Sequence, residues 1–227
     1  QTECAAGTYQ PSTGQPSCLD ADAGHYVAST GQSAQTACAA GTYQPSTGQT
    51  ACLDADAGHY VDSTGSTSQT ACAAGTYQPS TAQTACLDAD AGHYVGTTGS
   101  TSQTECAAGT YQPSTGQPSC LDADAGHYVA STGQSAQTAC AAGTYQPSTG
   151  QTACLDADAG HYVDSTGSTS QTACAAGTYQ PSTAQTACLD ADAGHYVGTT
   201  GSTSQTECAA GTYQPSVSYT HLRAHET

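Results

Sequence analysis

Residues 4–20 read CAAGTYQPSTGQPSCLD and residues 21–37 read ADAGHYVASTGQSAQTA. Counted from 0 at Cys4 and at Ala21, both stretches carry Gly at +3 (Gly7, Gly24) and Tyr at +5 (Tyr9, Tyr26). Both also carry Gly at +10 (Gly14, Gly31). They differ at 0 and +14, where Cys4 and Cys18 in the first become Ala21 and Gln35 in the second. The 17-residue step continues through Tyr43, Tyr60, Tyr77 and Tyr94 to Tyr213 without a slip. The elementary repeat is therefore 17 residues, and two kinds alternate in a 34-residue double repeat. Residues 1–102 and 103–204 are identical, and a third copy starts at Gln205.

The alternation selects a disulfide pairing. If the cysteines at 0 and +14 bond to each other, losing both together leaves no orphan thiol. The pairs are then Cys4–Cys18, Cys38–Cys52, Cys72–Cys86, Cys106–Cys120, Cys140–Cys154 and Cys174–Cys188. The rival pairing, Cys18–Cys38 onward, strands Cys4 and leaves the paired loss unexplained. Cys208 is the thirteenth cysteine, and Leu222 stands where its partner is expected.

Composition excludes much else. The 227 residues carry a net charge of −17, with 18 acidic side chains against one basic one, Arg223. Trp, Phe, Met, Ile and Asn are absent, so no single large core can offset chain entropy. Without cations the chain has no means of gripping nucleic-acid phosphates. No apolar run approaches membrane-spanning length, and no basic stretch followed by an apolar one marks a signal peptide. The chain opens at Gln1 and reads as a fragment. Thirteen cysteines imply the secretory pathway and an oxidising extracellular or cell-surface location.

Locally, Thr8-Tyr9-Gln10 favours a short strand and Pro11-Ser12-Thr13-Gly14 a four-residue hairpin loop, with Gln15 to Cys18 returning. No segment has helical periodicity. A lone 17-residue hairpin is unstable in water. A staple closing about 15 residues contributes roughly 3 kcal/mol. Each Tyr ring is expected to lie across its hairpin or the neighbouring junction, joined by Leu19 and Val27 once per 34 residues. The expected fold is small, disulfide-rich, mostly β and irregular. It is an elongated array of stapled hairpins without a single globular core. Reduction should leave it largely disordered.

The stapled repeat, Cys4-Ala5-Ala6-Gly7-Thr8-Tyr9 to Cys18, resembles the cysteine-rich modules of tumour-necrosis-factor-receptor-like and ephrin-receptor-like ectodomains. It is most similar to ephrin type A/B receptor-like repeats, over residues 1–216. The resemblance implies an extracellular, disulfide-bonded rod with no catalytic residues, and bonding of the first two cysteines of each unit. Ala21 and Gln35 depart from that pattern.

Asp20 and Asp22 recur as Asp54/Asp56, Asp88/Asp90, Asp122/Asp124, Asp156/Asp158 and Asp190/Asp192. Such pairs, followed by Gly, are candidate oxygen ligands for Ca²⁺, although a full site needs about six to eight oxygens. The competing reading is a solvated acidic linker that attracts divalent cations diffusely. His25 and its five copies, 34 residues apart, read as exposed hairpin positions. Asp22-x-x-His25 supplies too few ligands for zinc. Ser, His and Asp abound, but no copy is unique, so no enzyme and no cofactor is expected. Ser/Thr-rich segments near Pro suit O-glycosylation, and the absence of Asn excludes N-glycosylation.

The expected function is an extracellular stalk or adhesive spacer. The alternative is a receptor-type ectodomain or Ca²⁺-dependent adhesin with a protein or glycan ligand. Neither involves nucleic acid or membrane insertion. Residues 217–227, VSYTHLRAHET, break the period. All eleven match a reading frame of a transposase adapter used in DNA library preparation, so the native array is read as 1–216.

Overall fold

The computed structural model describes residues 2–212. Residues 217–227, and position 222 opposite Cys208, lie outside them. No helix occurs among the described residues, which form twelve two-stranded antiparallel sheets. In the first repeat β1 (Thr8–Tyr9) pairs with β2 (Leu19–Asp20), Thr8 opposite Asp20 and Tyr9 opposite Leu19. In the second, β3 (His25–Tyr26) pairs with β4 (Thr36–Ala37) in the same register. The remaining repeats follow suit.

The hairpin differs from the expected one. Its return strand begins after the second cysteine, and nine residues, 10–18, separate the strands. Gln10 lies beyond the strand. A glutamine at this place builds a wide loop. Gln44 donates from Nε2 to the carbonyl of Ala51 at 2.8 Å and accepts from the amide of Ser46 at 3.1 Å. The loop backbone serves the preceding repeat and does not close on itself. Gly31 donates to the carbonyl of Cys4 at 2.9 Å, and Gln10 donates to the carbonyl of Gln32 at 3.1 Å.

These bonds belong to a ladder. Gly7 donates to Val27 at 2.8 Å, and Ala21 donates back to Gly7 at 2.9 Å. One repeat on, Gly24 donates to Gln44 at 2.7 Å and Cys38 to Gly24 at 2.8 Å. Stapled and unstapled repeats thus carry the same backbone connections.

The described chain forms two compact units. One holds residues up to Cys106 with Tyr111–Leu121 and Gly133–Ser135. The other holds Ala107–Thr110, Asp122–Thr132 and the described residues from Ala136 onward. Within the first, the core runs as a line of small groups: Cys38, Cys72, Ala21, Ala55 and Ala89 are wholly buried, with Val27, Val61 and Val95 beside them. Within the second, Cys140, Cys174, Ala157 and Val163 do the same. Tyrosines are mostly half-buried. The described leucines do not join the core, contrary to expectation: Leu19, on the return strand opposite Tyr9, is 48% exposed.

Glycine at +3 is demanded by close approach. Gly41 has φ +88°, and a Cβ on it would lie 2.4 Å from the carbonyl oxygen of Ala82, two repeats on. The left-handed place at +10 is less strict, since Ala82 and Ala184 occupy it at φ 58°. Gly41→Ala should therefore destabilise the oxidised chain by about 2 kcal/mol or more. Ala82→Gly should stabilise it by about 0.5 kcal/mol. Urea unfolding measures both, and a tolerated Gly41→Ala would contradict the close approach.

Candidate functional site

Six disulfides join Cys4–Cys18, Cys38–Cys52, Cys72–Cys86, Cys106–Cys120, Cys140–Cys154 and Cys174–Cys188. Each spans 14 residues, with Cα atoms 5.7 Å apart in Cys38–Cys52. The first cysteine lies in the core line and the second near the surface, so the staple ties the loop's far end to the core. Cys208 is free and half-buried.

The unstapled repeats hold the same place with a different bond. Gln35, at +14, accepts from the amide of Asp22 through Oε1 at 2.7 Å. Its Nε2 donates to Oδ2 of Asp22 at 2.7 Å. The two-bond clasp recurs as Gln69 on Asp56, Gln103 on Asp90, Gln137 on Asp124, Gln171 on Asp158 and Gln205 on Asp192. Asp22 stands at +1, next to the core Ala21 that replaces a cysteine. The clasp thus joins nearly the same two points as the disulfide. Sequence reading missed it, although the signal is present. Asp at +1 and Gln at +14 appear together wherever the cysteines vanish, and stapled repeats have Ala at +1.

The two aspartates of each pair therefore differ. Asp22, Asp56, Asp90, Asp124, Asp158 and Asp192 are held by glutamines. Asp20, Asp54, Asp88, Asp122, Asp156 and Asp190 are exposed at the ends of return strands. Asp20 packs over the backbone two repeats on, 3.7 Å from where a Cβ of Gly48 would sit. Among the described residues, no three His, Cys, Asp or Glu side chains gather where they could hold a metal ion.

His25 and its five copies lie on strands and are half-buried, not exposed. His25 sits opposite Ala37, with Nδ1 3.4 Å from the carbonyl of Ala23. His93 sits instead opposite Glu105.

Residues 24–72 and 126–174 match the family model described as tyrosine-protein kinase ephrin type A/B receptor-like. These stretches are similar to ephrin-receptor-like repeats. Each match runs from the +3 glycine of a clasped repeat, across a whole stapled repeat, to the first cysteine of the next stapled one. Repeats of this family are non-catalytic modules of receptor-type ectodomains, extracellular in that setting. No curated protein matches the chain. Among the described residues no helix is long and apolar enough to cross a membrane.

The clasp has a measurable worth. Gln69→Ala removes both bonds and should cost about 1 kcal/mol, reduced from the buried value by solvent exposure of Asp56. Asp56→Asn keeps an acceptor for Nε2 and should cost less. Replacing Ala55 and Gln69 together by cysteine should restore a staple and add roughly 3 kcal/mol. Thermal unfolding with disulfide mapping checks the series, and a Gln69→Ala chain as stable as the parent would remove the clasp from the account.

Proposed function

We propose that the array is an extracellular spacer that holds another domain away from its anchorage. The observation that carries this reading is the sameness of the ladder across stapled and clasped repeats. A repeat of either kind offers the next one the same donors and acceptors. Length then grows by copying one rule, as in other quasi-one-dimensional arrays. The staples suit such a role, since each disulfide limits how far a locally opened loop can extend. The acidic surface keeps neighbouring arrays apart and soluble. The similarity of its repeats to a receptor-ectodomain family agrees with an extracellular site, though not with any one ligand. No side chain is unique to one copy within residues 1–204 in a way that would single out a catalytic place.

A spacer is defined by length. Deleting residues 38–71 removes one double repeat and restores the same junction, since Ala37 then precedes Cys72 as it preceded Cys38. The shortened chain should keep its circular dichroism and its remaining disulfides. Its maximum dimension by small-angle X-ray scattering should fall, and deleting 38–105 should double the decrement. Loss of folding, or an unchanged dimension, would overturn the spacer reading.

A further inference from the structure

The return strands carry a feature that the fold does not use. In stapled repeats this strand is Leu-Asp: Leu53–Asp54 lies opposite Thr42–Tyr43, with Leu53 facing Tyr43. Leu53 and Leu87 are each 48% exposed. The Asp54 and Asp88 side chains are exposed and lie outside the clasps, and Oδ1 of Asp88 is 3.4 Å from where a Cβ of Gly116 would sit. In clasped repeats the same strand is Thr36–Ala37, Thr70–Ala71 or Thr104–Glu105, in the same register, with Tyr60 facing Thr70. Every clasped repeat thus has Thr where stapled repeats have Leu, and the place after it takes Ala or Glu. A large half-exposed aliphatic group and an exposed carboxylate recur in each stapled repeat, outside the buried core and the clasps.

We infer that the Leu-Asp places form a repeated docking row for a basic polypeptide segment carrying aliphatic side chains among its lysines or arginines. Charge selects that occupant. The chain carries −17, and its single Arg lies at 223, so the array itself has no cation with which to receive an anionic ligand. A second copy is repelled by the same charge. A basic segment is steered in by the carboxylates, with a strong salt dependence. The exposed halves of Leu53 and Leu87, each beside a half-buried Tyr, supply the apolar area that fixes it. The 34-residue spacing makes the row multivalent, so weak single contacts combine. This inference is independent of the spacer reading.

The test uses the full oxidised chain and a fluorescent peptide of alternating Leu and Lys, with a Ser/Lys peptide for comparison. Anisotropy should show the Leu/Lys peptide binding more tightly, and both weakening as salt rises. The variant carrying Leu53→Thr, Asp54→Ala, Leu87→Thr and Asp88→Ala copies strands the fold already contains, so it should fold with the same disulfides. It should lose on the order of tenfold in affinity for the Leu/Lys peptide. Leu53→Thr with Leu87→Thr alone should give most of that loss. Asp56→Asn with Asp90→Asn, which removes two charges at the clasps, should give little. Four results would each overturn the proposal: equal affinity for the two peptides, an unaffected Leu→Thr variant, an equal loss in the clasp variant, or tighter binding to a neutral polysaccharide. Self-association of the parent chain that the Leu→Thr variant abolishes would instead name a second copy as the occupant.

Discussion

A strand of two residues cannot hold a hairpin together, so the backbone bonds between successive repeats carry the structure. Each pair, such as Tyr9 against Leu19, contributes too few contacts to offset the ordering of 17 residues. The ladder supplies the rest. Gly7 gives its amide to Val27 in the next repeat, and its carbonyl accepts from Ala21. Gly31 reaches back to Cys4. Backbone groups that would otherwise be buried without partners are thereby satisfied between repeats. The ladder also sets the side-chain rules. Chains that pass this closely leave no room for a Cβ at +3, and they leave only small groups, Cys, Ala and Val, in the line between them.

Given that ladder, the loop from +6 to +14 still needs an anchor at its far end. Two chemistries provide it at alternate repeats. The disulfide acts on the unfolded chain by closing a loop, and it needs an oxidising environment. The Gln35–Asp22 clasp acts only in the folded state and needs none. The residue at +6 follows the anchor. Stapled repeats bury Gln44, whose amide organises the loop, and clasped repeats bury Val27 or Val61. The array is therefore not a stapled protein with weakened gaps. Every repeat from Cys4 to Glu207 is locked, half of them covalently.

Period and anchor spacing were legible in the sequence because they are written in residues with few other uses. Tyr every 17 residues and paired cysteines 14 apart have no competing explanation at that regularity. The hairpin was not legible in the same way. Pro45-Ser46-Thr47-Gly48 has the composition of a tight turn, but its Gly48 amide is bonded to Ala21 of the preceding repeat, which local propensity does not describe. Leu19 was misplaced for a related reason. Hydrophobicity argues for burial, whereas the core between repeats is filled by Cys, Ala and Val, and Leu19 stays 48% exposed on its strand. The aspartates show the limit most clearly. Asp20 and Asp22 look alike in sequence, yet one meets solvent and the other meets Gln35, and only the fold tells them apart.

That distinction separates residues the array needs from residues it merely tolerates. Gly7, Ala21, Val27 and Gln35 each answer to a named contact, and no alternative occupies their places in repeats of the same kind. Other places are permissive: Pro11 corresponds to Ala28, Asp62 and Gly96 in clasped repeats, and Leu19 to Thr36. At a permissive place, stability does not dictate the residue, so a costly choice there must answer to something else. An exposed Leu is such a choice in an acidic, otherwise polar surface, because it leaves apolar area in water at every stapled repeat. Ser and Thr in the loops need no comparable reason, since they suit turns and solvent alike. The interaction surface of a repetitive protein is therefore to be sought where its two kinds of repeat disagree without structural cause.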